Sequence, residues 1–247
     1  MSSSTLPLPR RITHVLLDLD GTLTDSAPGI VSSLRTGFAA AGLAVPSDDV
    51  LLTFVGPALG TSMARVGLSD DDATAVIDAY RRSFEAGGMF ENSLFPGIPE
   101  ALTALREAGV TLAIATAKPE VYALRIVEHF GLDVWLEGGL DGVFGAELEG
   151  AGVSSGKGPI IARALAALGA GAGGAGGSGG ASAAGPAGVA GRTVMVGDRE
   201  HDAEGAAENG IATIGARWGY ADPGELEAAG VAAFADSPEG LVKLVLG

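Results

Sequence analysis

Runs of apolar residues alternate with amphipathic, helix-like segments along most of the chain. The first run, Thr13–Leu19, is apolar almost throughout, which is typical of a strand buried on both faces of a sheet. Later runs predict strands at Thr111–Thr116, Thr193–Gly197 and Ala212–Ala216, and a weaker strand near Gly138–Gly142. Because strands that alternate with helices form parallel βαβ units, we predict the α/β class with a doubly wound parallel sheet.

The segment 25–94 departs from this alternation, because it shows helical patterning and no convincing strand. Ser47 is placed to begin a short helix, and Ser69 with Asp72 three residues later predicts a longer one that runs to Ala86. We therefore predict a small helical domain inserted after the first strand. The remaining helices are predicted at Ala27–Ala41, Pro99–Ala108, Pro119–Phe130, Gly158–Leu168 and Ala203–Asn209.

The predicted core consists of residues 12–24 and 95–247, preceded by a loose tail over residues 1–11. Residues 169–191 within the core are almost entirely glycine, alanine and serine, a composition that predicts a flexible linker. A G-x-G-x-x-G pattern begins there at Gly171, but a dinucleotide site would need a strand before it and a helix opening at it. Neither is predicted, so we do not assign a dinucleotide site.

Composition narrows the possible functions. The chain has 247 residues, 47% of them hydrophobic, and this is enough apolar material for a sizeable core. The absence of cysteine excludes disulfides, thiolate metal sites and cysteine nucleophiles. A net charge of −15 argues against nucleic acid or an anionic membrane as the main partner. Without a membrane span or an apolar leader, the expectation is a cytoplasmic protein, and the sequence does not indicate its oligomeric state.

Polar residues follow three of the predicted strands at the points where those strands end. Asp18 and Asp20 close the first strand, Thr116 ends the second, and Asp198 follows the strand at Thr193–Gly197. Ligands of open parallel sheets bind outside the carboxyl ends of the strands, so these side chains are expected to meet there. Two further residues are expected to join them, Asp202 in the helix after Asp198 and Lys157 at the start of a helix.

This set of residue types indicates phosphoryl chemistry. Neighbouring carboxylates repel one another unless a cation lies among them, and oxygen ligands without cysteine suit Mg²⁺. Lys157 and the Thr116 hydroxyl can bind an anion beside that cation. Asp18 can attack phosphorus as a carboxylate nucleophile, and Asp20 can protonate the leaving oxygen as a general acid.

Taken together, the motifs resemble the haloacid dehalogenase superfamily, specifically its phosphatase branch. The segment Asp18–Thr24 matches the family's DxDGT motif. Thr116, Lys157 and the pair Asp198 and Asp202 match its second, third and fourth motifs in order. The resemblance extends over most of the chain, from the first strand to the carboxyl terminus, apart from the glycine-rich linker.

The resemblance implies a Rossmann-like core with a helical cap of the family's first type at 25–94. It further implies that Asp18 forms an aspartyl-phosphate and that Asp20 is the acid and base. The residues implied to hold Mg²⁺ are Asp18, Asp20 through its backbone carbonyl, Asp198 and, in support, Asp202. Those implied to bind the phosphoryl group are Thr116, Ala117 through its backbone amide, and Lys157.

Three further segments are similar to a subgroup that includes phosphoglycolate phosphatases and nucleotidases. They are Asp25–Ile30, Phe54–Pro57 and Phe90–Gly97, although Ala58 stands where the subgroup often has a second proline. The predicted function is therefore a Mg²⁺-dependent phosphomonoester hydrolase acting on a small phosphorylated metabolite. Phosphoglycolate and 5′-nucleotides are candidate substrates.

The sequence leaves two alternative functions open. A phosphomutase of the same superfamily would return the phosphoryl group to a sugar, and it would form an isomer instead of releasing inorganic phosphate. A phospho-acceptor receiver module also uses acidic residues, threonine, lysine and Mg²⁺. Receivers place the acceptor on a later strand and lack a helical insert, so the Asp18-x-Asp20 pair and the 25–94 segment argue against one.

Other polar residues near the motifs are interpreted more simply. Lys118 is expected to be solvated, because lysines are rarely buried. Asp25 and Ser26 are expected to cap the helix that follows them. The sequence does not decide between substrate contact and ordinary packing or exposure for Arg65, Arg81, Arg82, Arg199, His201 and Tyr220.

Overall fold

The apolar runs form a parallel sheet at the centre of the molecule. A computed structural model describes residues 5–148, 156–171 and 186–247. Within these ranges, six strands form one sheet in the order β5-β4-β1-β6-β7-β8, and every neighbouring pair is parallel. The predicted fold class is thereby confirmed. The strands are β1 (His14–Leu17), β2 (Thr24–Asp25), β3 (Ser93–Leu94), β4 (Thr111–Pro119), β5 (Val143–Ala146), β6 (Thr193–Gly197), β7 (Ala212–Ala216) and β8 (Ala233–Ala235).

Helices cover both faces of the sheet and also make up an insert after β1. The helices are α1 (Ala27–Ala40), α2 (Asp48–Leu52), α3 (Leu59–Arg65), α4 (Asp70–Ala86), α5 (Ile98–Glu107), α6 (Glu120–Phe130), α7 (Gly158–Gly171), α8 (Pro186–Ala190), α9 (Glu200–Glu208), α10 (Glu225–Ala229) and α11 (Pro238–Leu246). None of them, within the described ranges, combines the length and apolar character needed to cross a membrane.

The central strand β1 shows why the sheet is covered on both sides. Val15 and Leu17 point into the larger apolar core, whereas Leu16 between them points into a second core on the opposite face. All three are fully buried, because successive side chains of a strand alternate between the faces of its sheet. A continuous apolar run is therefore the pattern that this position requires.

The helices α1 to α4, with a short 3₁₀ helix after them, lie between β2 and β3. These two-residue strands pair antiparallel, Thr24 with Leu94 and Asp25 with Ser93, so the chain leaves and re-enters the core at one place. We call the segment between them the helical insert. Helix α4 begins as predicted, since the Ser69 hydroxyl accepts a hydrogen bond of 3.2 Å from the Asp72 amide.

Some predicted boundaries are wrong. The strand expected at Gly138–Gly142 is a 3₁₀ helix over Gly139–Gly142, and the strand begins only at Val143. Gly138 and Gly139 have φ of 73° and 66°, in the left-handed region, which a strand cannot contain. The helix expected at Ala203 begins at Glu200. The elements that were not predicted are β2, β3, β8, α3, α8, α10 and α11.

The predicted linker 169–191 begins and ends in helices. Its first residues belong to α7, which runs to Gly171, and α8 covers Pro186–Ala190. Residues 172–185, which include most of the glycine-rich segment, lie outside the described residues. Within the predicted tail, Leu8 packs against the larger core.

Candidate active site

The carboxyl ends of the three central strands bring the predicted site residues together. Asp18 directly follows β1 and Asp198 directly follows β6, and the Asp18 amide donates a 2.9 Å hydrogen bond to the Val196 carbonyl. Thr116 lies on β4, two residues beyond Ile114, which pairs with Leu17 of β1. All three site side chains are buried. They thus lie at neighbouring points on the same edge of the sheet.

Lys157 joins this group from the start of α7. Its ammonium group is 2.9 Å from Asp18 Oδ1 and also contacts Asp202 Oδ1. Asp202 lies in the first turn of α9, where its other oxygen accepts a 3.0 Å hydrogen bond from the Arg199 amide. Asp202 therefore both caps its helix and holds Lys157 against Asp18.

Asp20 makes a second buried ion pair, with Lys118. Lys118 Nζ lies 2.8 Å from Asp20 Oδ2 and 4.8 Å from the centre of the Phe84 ring in the helical insert. The expectation that Lys118 is solvated is wrong, because only 8% of the residue is exposed. Its backbone amide also donates to the Thr116 hydroxyl at 3.2 Å. The Asp20 Oδ1 atom is buried and has no hydrogen-bond partner among the described residues.

Asp198 is held by hydrogen bonds to both carboxylate oxygens. The Thr22 hydroxyl donates to Oδ1 at 3.0 Å, and the Tyr220 amide donates to Oδ2 at 2.8 Å. Gly21 lies directly against this carboxylate: its φ is 83°, and a Cβ there would overlap the Asp198 side chain. The glycine of the DxDGT motif is therefore required both by backbone conformation and by space.

We expect Gly21→Ala to lower kcat/KM by about 10²-fold, since a displacement near 1 Å of a catalytic group costs about that much. Steady-state kinetics with a phosphomonoester would measure the loss. Gly42→Ala is the matched control, because Gly42 has a φ of 74° and a Cβ added there would meet nothing within 4 Å. It introduces the same backbone strain without the overlap. Equal losses in the two variants would contradict the explanation.

The burial of these carboxylates has electrostatic consequences. Burial raises the pKa of Asp18, an effect that the Lys157 charge opposes and the Asp202 charge reinforces. Burial also raises the pKa of Asp198 well above its usual value, with further contributions from Asp202 and Asp18. For Lys157, burial favours the neutral amine, but Asp18 and Asp202 outweigh it and the pKa is raised.

The charges around the site are suited to a divalent cation. The buried carboxylates of Asp18, Asp20, Asp198 and Asp202 face two buried ammonium groups, those of Lys118 and Lys157. In their ionised forms the four carboxylates carry two more charges than the two ammonium groups balance, and they offer the oxygen ligands that Mg²⁺ prefers. Ligand atoms of Asp18, Asp202 and His201 also lie within 4.8 Å of one another. The donor set fits a bound divalent metal ion.

Two residues beside the fourth motif are more buried than the sequence indicated. Arg199 is 4% exposed, pairs with Glu225 at 2.8 Å, and donates a 2.8 Å hydrogen bond to the Val55 carbonyl of the helical insert. Burial, followed by the Lys157 charge, lowers the pKa of His201 to about 3, so its imidazole is neutral near pH 7. Arg199 precedes α9 and His201 lies in its first turn, so both residues belong to the segment that follows Asp198.

Further contacts join the helical insert to the core beside the site. Arg65 of α3 pairs with Glu200 of α9 at 2.8 Å, and the Tyr220 hydroxyl contacts Asp25 of β2. Asp25 thus pairs with Tyr220, and the Ser26 side chain makes no capping hydrogen bond, so the expectation that both cap α1 is wrong. Tyr220 therefore contacts β2 through its hydroxyl and Asp198 through its backbone amide.

A cavity of about 390 Å³ opens from the site into the space between the helical insert and the core. Asp20, Ala117 and Lys118 line its end at the edge of the sheet, and Arg81 lies on its α4 side. Arg82 is exposed, whereas Arg65 is paired with Glu200. Asp18, Thr116, Lys157, Asp198 and Asp202 are not among the residues that line this cavity.

Comparisons with known proteins find relatives of this chain by sequence and by fold. A model of the haloacid dehalogenase-like hydrolase family matches residues 12–210. Tyrosine-protein kinase PtkA of Mycobacterium tuberculosis is 41% identical over 206 residues, which cover 83% of this chain but 62% of that protein. A 5′-nucleotidase of Pseudomonas aeruginosa is 35% identical over 219 residues, 88% of each chain. The crystal structure of a predicted phosphatase from Clostridium acetobutylicum superposes with a TM-score of 0.79 and 34% identity, covering 98% of this chain and 99% of that one.

Proposed function

This chain belongs to the haloacid dehalogenase-like hydrolase family, and we propose that it hydrolyses small phosphomonoesters with the help of a divalent cation, Mg²⁺. The observation that carries the proposal is the contact of one buried ammonium group, that of Lys157, with Asp18 at the end of β1. A carboxylate held beside a cation at the carboxyl edge of the sheet is placed to meet a phosphoryl group there.

The first half of the proposed reaction transfers the phosphoryl group to Asp18. A carboxylate oxygen of Asp18 forms a bond to phosphorus, and the bond between phosphorus and the ester oxygen breaks. Asp20, in its protonated form, gives its proton to that oxygen, which leaves as an alcohol. Lys157, the Thr116 hydroxyl and the Ala117 amide would bind the phosphoryl oxygens.

The second half releases phosphate and restores Asp18. Asp20, now a carboxylate, takes a proton from water as the water oxygen bonds to phosphorus, and the bond to Asp18 breaks. Asp18, the Asp20 carbonyl and Asp198 would hold Mg²⁺, with Asp202 in support. When bound, the cation would supply positive charge to the phosphoryl oxygens as charge develops on them.

Trapping the covalent intermediate tests this mechanism. Borohydride reduces an acyl phosphate, so rapid quenching during turnover followed by mass spectrometry is expected to place the modification on Asp18. Release of inorganic phosphate, without an isomeric phosphate ester, is expected at the same time and distinguishes a hydrolase from a mutase. Transfer of phosphate from ATP to a protein tyrosine, with no hydrolysis of small esters, would contradict the proposal.

Metal binding is expected to stabilise the protein more strongly as pH rises. The raised pKa values of Asp18 and Asp198 mean that the metal-free folded state favours their protonated forms. Their contribution to stability is therefore present at acid pH and lost as pH rises through the folded-state pKa values. Mg²⁺ binds the ionised forms and reverses that loss.

At a fixed concentration of about 100 times its dissociation constant at pH 8, Mg²⁺ should raise Tm by roughly 5–10 °C at pH 8 and by much less at pH 5, where it binds more weakly. Differential scanning calorimetry at constant ionic strength measures the shift. Asp198→Asn is expected to remove most of it at pH 8. A shift that is the same at both pH values would show that these carboxylates do not bind the ion.

A further inference from the structure

The cavity beside the site is larger than the smallest candidate substrate needs. The glycolate group of phosphoglycolate has five heavy atoms, which at roughly 30 Å³ each, the share of one water in the liquid, occupy about 150 Å³. The cavity measures about 390 Å³, within the range of about 300–1,000 Å³ typical of sites for larger organic ligands. A glycolate group would leave most of it without contacts.

Part of the cavity wall is apolar and aromatic, and charged side chains, among them Arg81 and Arg163, line the rest. Two of the chain's three tyrosines line it, Tyr80 and Tyr122, together with Phe54 and Phe84. The Tyr80 and Phe84 rings are stacked with centroids 5.3 Å apart, and Tyr122 meets Phe84 edge-on at 5.6 Å. In a chain with only 5% aromatic residues, this concentration beside the edge of the sheet is a feature of the site.

The aromatic wall reaches the reacting groups. The Phe84 ring lies against the Lys118 ammonium group, and Lys118 pairs with Asp20. The aromatic surface therefore begins one side chain away from Asp20, the residue assigned to protonate the leaving oxygen. Burial raises the pKa of Tyr80 well above its usual value, and the Asp20 charge contributes to the shift.

We infer that the leaving alcohol carries an aromatic ring, which occupies this cavity between α4 and the core. The inference rests on the proposed phosphomonoester hydrolysis and adds the class of substrate. A flat ring matches aromatic walls, and such ring contacts add about 2- to 12-fold to affinity beyond the area they bury. Nucleoside monophosphates and phosphotyrosine both offer a ring of this kind.

A matched series of alkyl phosphates tests the inference, because its members differ little in leaving-group chemistry. We expect kcat/KM with Mg²⁺ to be at least about tenfold higher for benzyl phosphate than for ethyl phosphate or phosphoglycolate, and higher than for cyclohexylmethyl phosphate. A nucleoside 5′-monophosphate and O-phosphotyrosine, assayed beside them, distinguish the two sources of the ring. Efficient cleavage of phosphoglycolate with poor cleavage of every ring-bearing ester would overturn the inference while leaving the hydrolase proposal intact.

A pocket-filling variant provides a second test. Ala58, which precedes α3, lines the cavity, whereas Ala64 within α3 is exposed and does not. Ala58→Leu should lower the ratio of kcat/KM for benzyl phosphate to that for ethyl phosphate about tenfold. Ala64→Leu, the same change outside the cavity, should leave the ratio within about twofold. Equal ratios in the two variants would show that the ring binds elsewhere.

The failure of the proposed function has a different signature. If no ester in the series releases phosphate with Mg²⁺, the hydrolase proposal fails and the inference about the ring fails with it.

Phe84→Leu keeps an apolar side chain and removes the ring, so it should raise KM for benzyl phosphate more than it lowers kcat. An unchanged KM in a folded Phe84→Leu protein would count against the aromatic wall.

Discussion

Replacing Asp18 with asparagine is expected to abolish turnover, with a loss on the order of 10⁶-fold, as when the nucleophile is removed from other covalent hydrolases. The amide has nearly the same shape as the carboxylate, but it neither attacks phosphorus nor carries the charge that a divalent cation requires. The variant should still fold, because Lys157 keeps its contact with Asp202. Release of inorganic phosphate and reductive trapping measure the two expected losses.

A matched variant separates this effect from a general cost of replacing an aspartate. Asp48 lies at the start of α2 and is exposed, where it pairs with Arg35. Asp48→Asn should change kcat/KM by less than about twofold, since exposed pairs contribute little to stability. Turnover by Asp18→Asn above about 1% of the parent rate would exclude Asp18 as the nucleophile.

The sheet and the convergence at its edge could be predicted because they depend on local sequence. A continuous apolar run such as Thr13–Leu19 is suited to a strand covered on both faces, and parallel strands all end at the same edge. The structure accordingly places Asp18 and Asp198 directly after β1 and β6, and Thr116 beside them on β4, although β4 continues to Pro119 and does not end at Thr116 as predicted. The chemical roles of these residues depend on the proposed mechanism and its tests.

The burial of Lys118 and Arg199 was not predicted from the sequence, because it depends in part on contacts with the helical insert. Lys118 is covered by Phe84 of α4, and Arg199 donates to the Val55 carbonyl, 144 residues away in the chain. A signal was available for Lys118, since it is one of only three lysines and lies two residues from Thr116.

The secondary-structure errors have local causes. The strand β8 has three residues, Ala233–Ala235, too few for any alternation of apolar and polar residues to be visible. The strand β5 was placed too early because the segment Gly138–Gly142 combines glycines with a leucine. The left-handed Gly138 and Gly139 instead begin a 3₁₀ helix that ends just before Val143. In both cases pairing with a neighbouring strand decides the structure, and single-segment patterns do not report it.

The second large effect is expected from Asp20→Asn, and it should depend on the leaving group. Loss of a general acid costs about 10²–10⁴-fold when the leaving oxygen needs a proton, as an alkoxide does. p-Nitrophenol leaves without protonation, so the first step with p-nitrophenyl phosphate should remain fast. The second step needs Asp20 as a base for water, so the phosphoenzyme should accumulate. Stopped-flow absorbance is expected to show a burst of one p-nitrophenolate per site, followed by slow turnover.

The dependence on the leaving group distinguishes proton transfer by Asp20 from a structural role of Asp20. Asp20→Asn also removes the carboxylate that pairs with Lys118, and an unpaired buried ammonium group could displace β4 and the residues it carries. Such a displacement would slow ethyl phosphate and p-nitrophenyl phosphate alike, and it would give no burst. Asp20→Asn combined with Lys118→Met removes the unpaired charge and should keep the burst. A uniform loss in both variants would mean that Asp20 positions Lys118 and does not carry the proton.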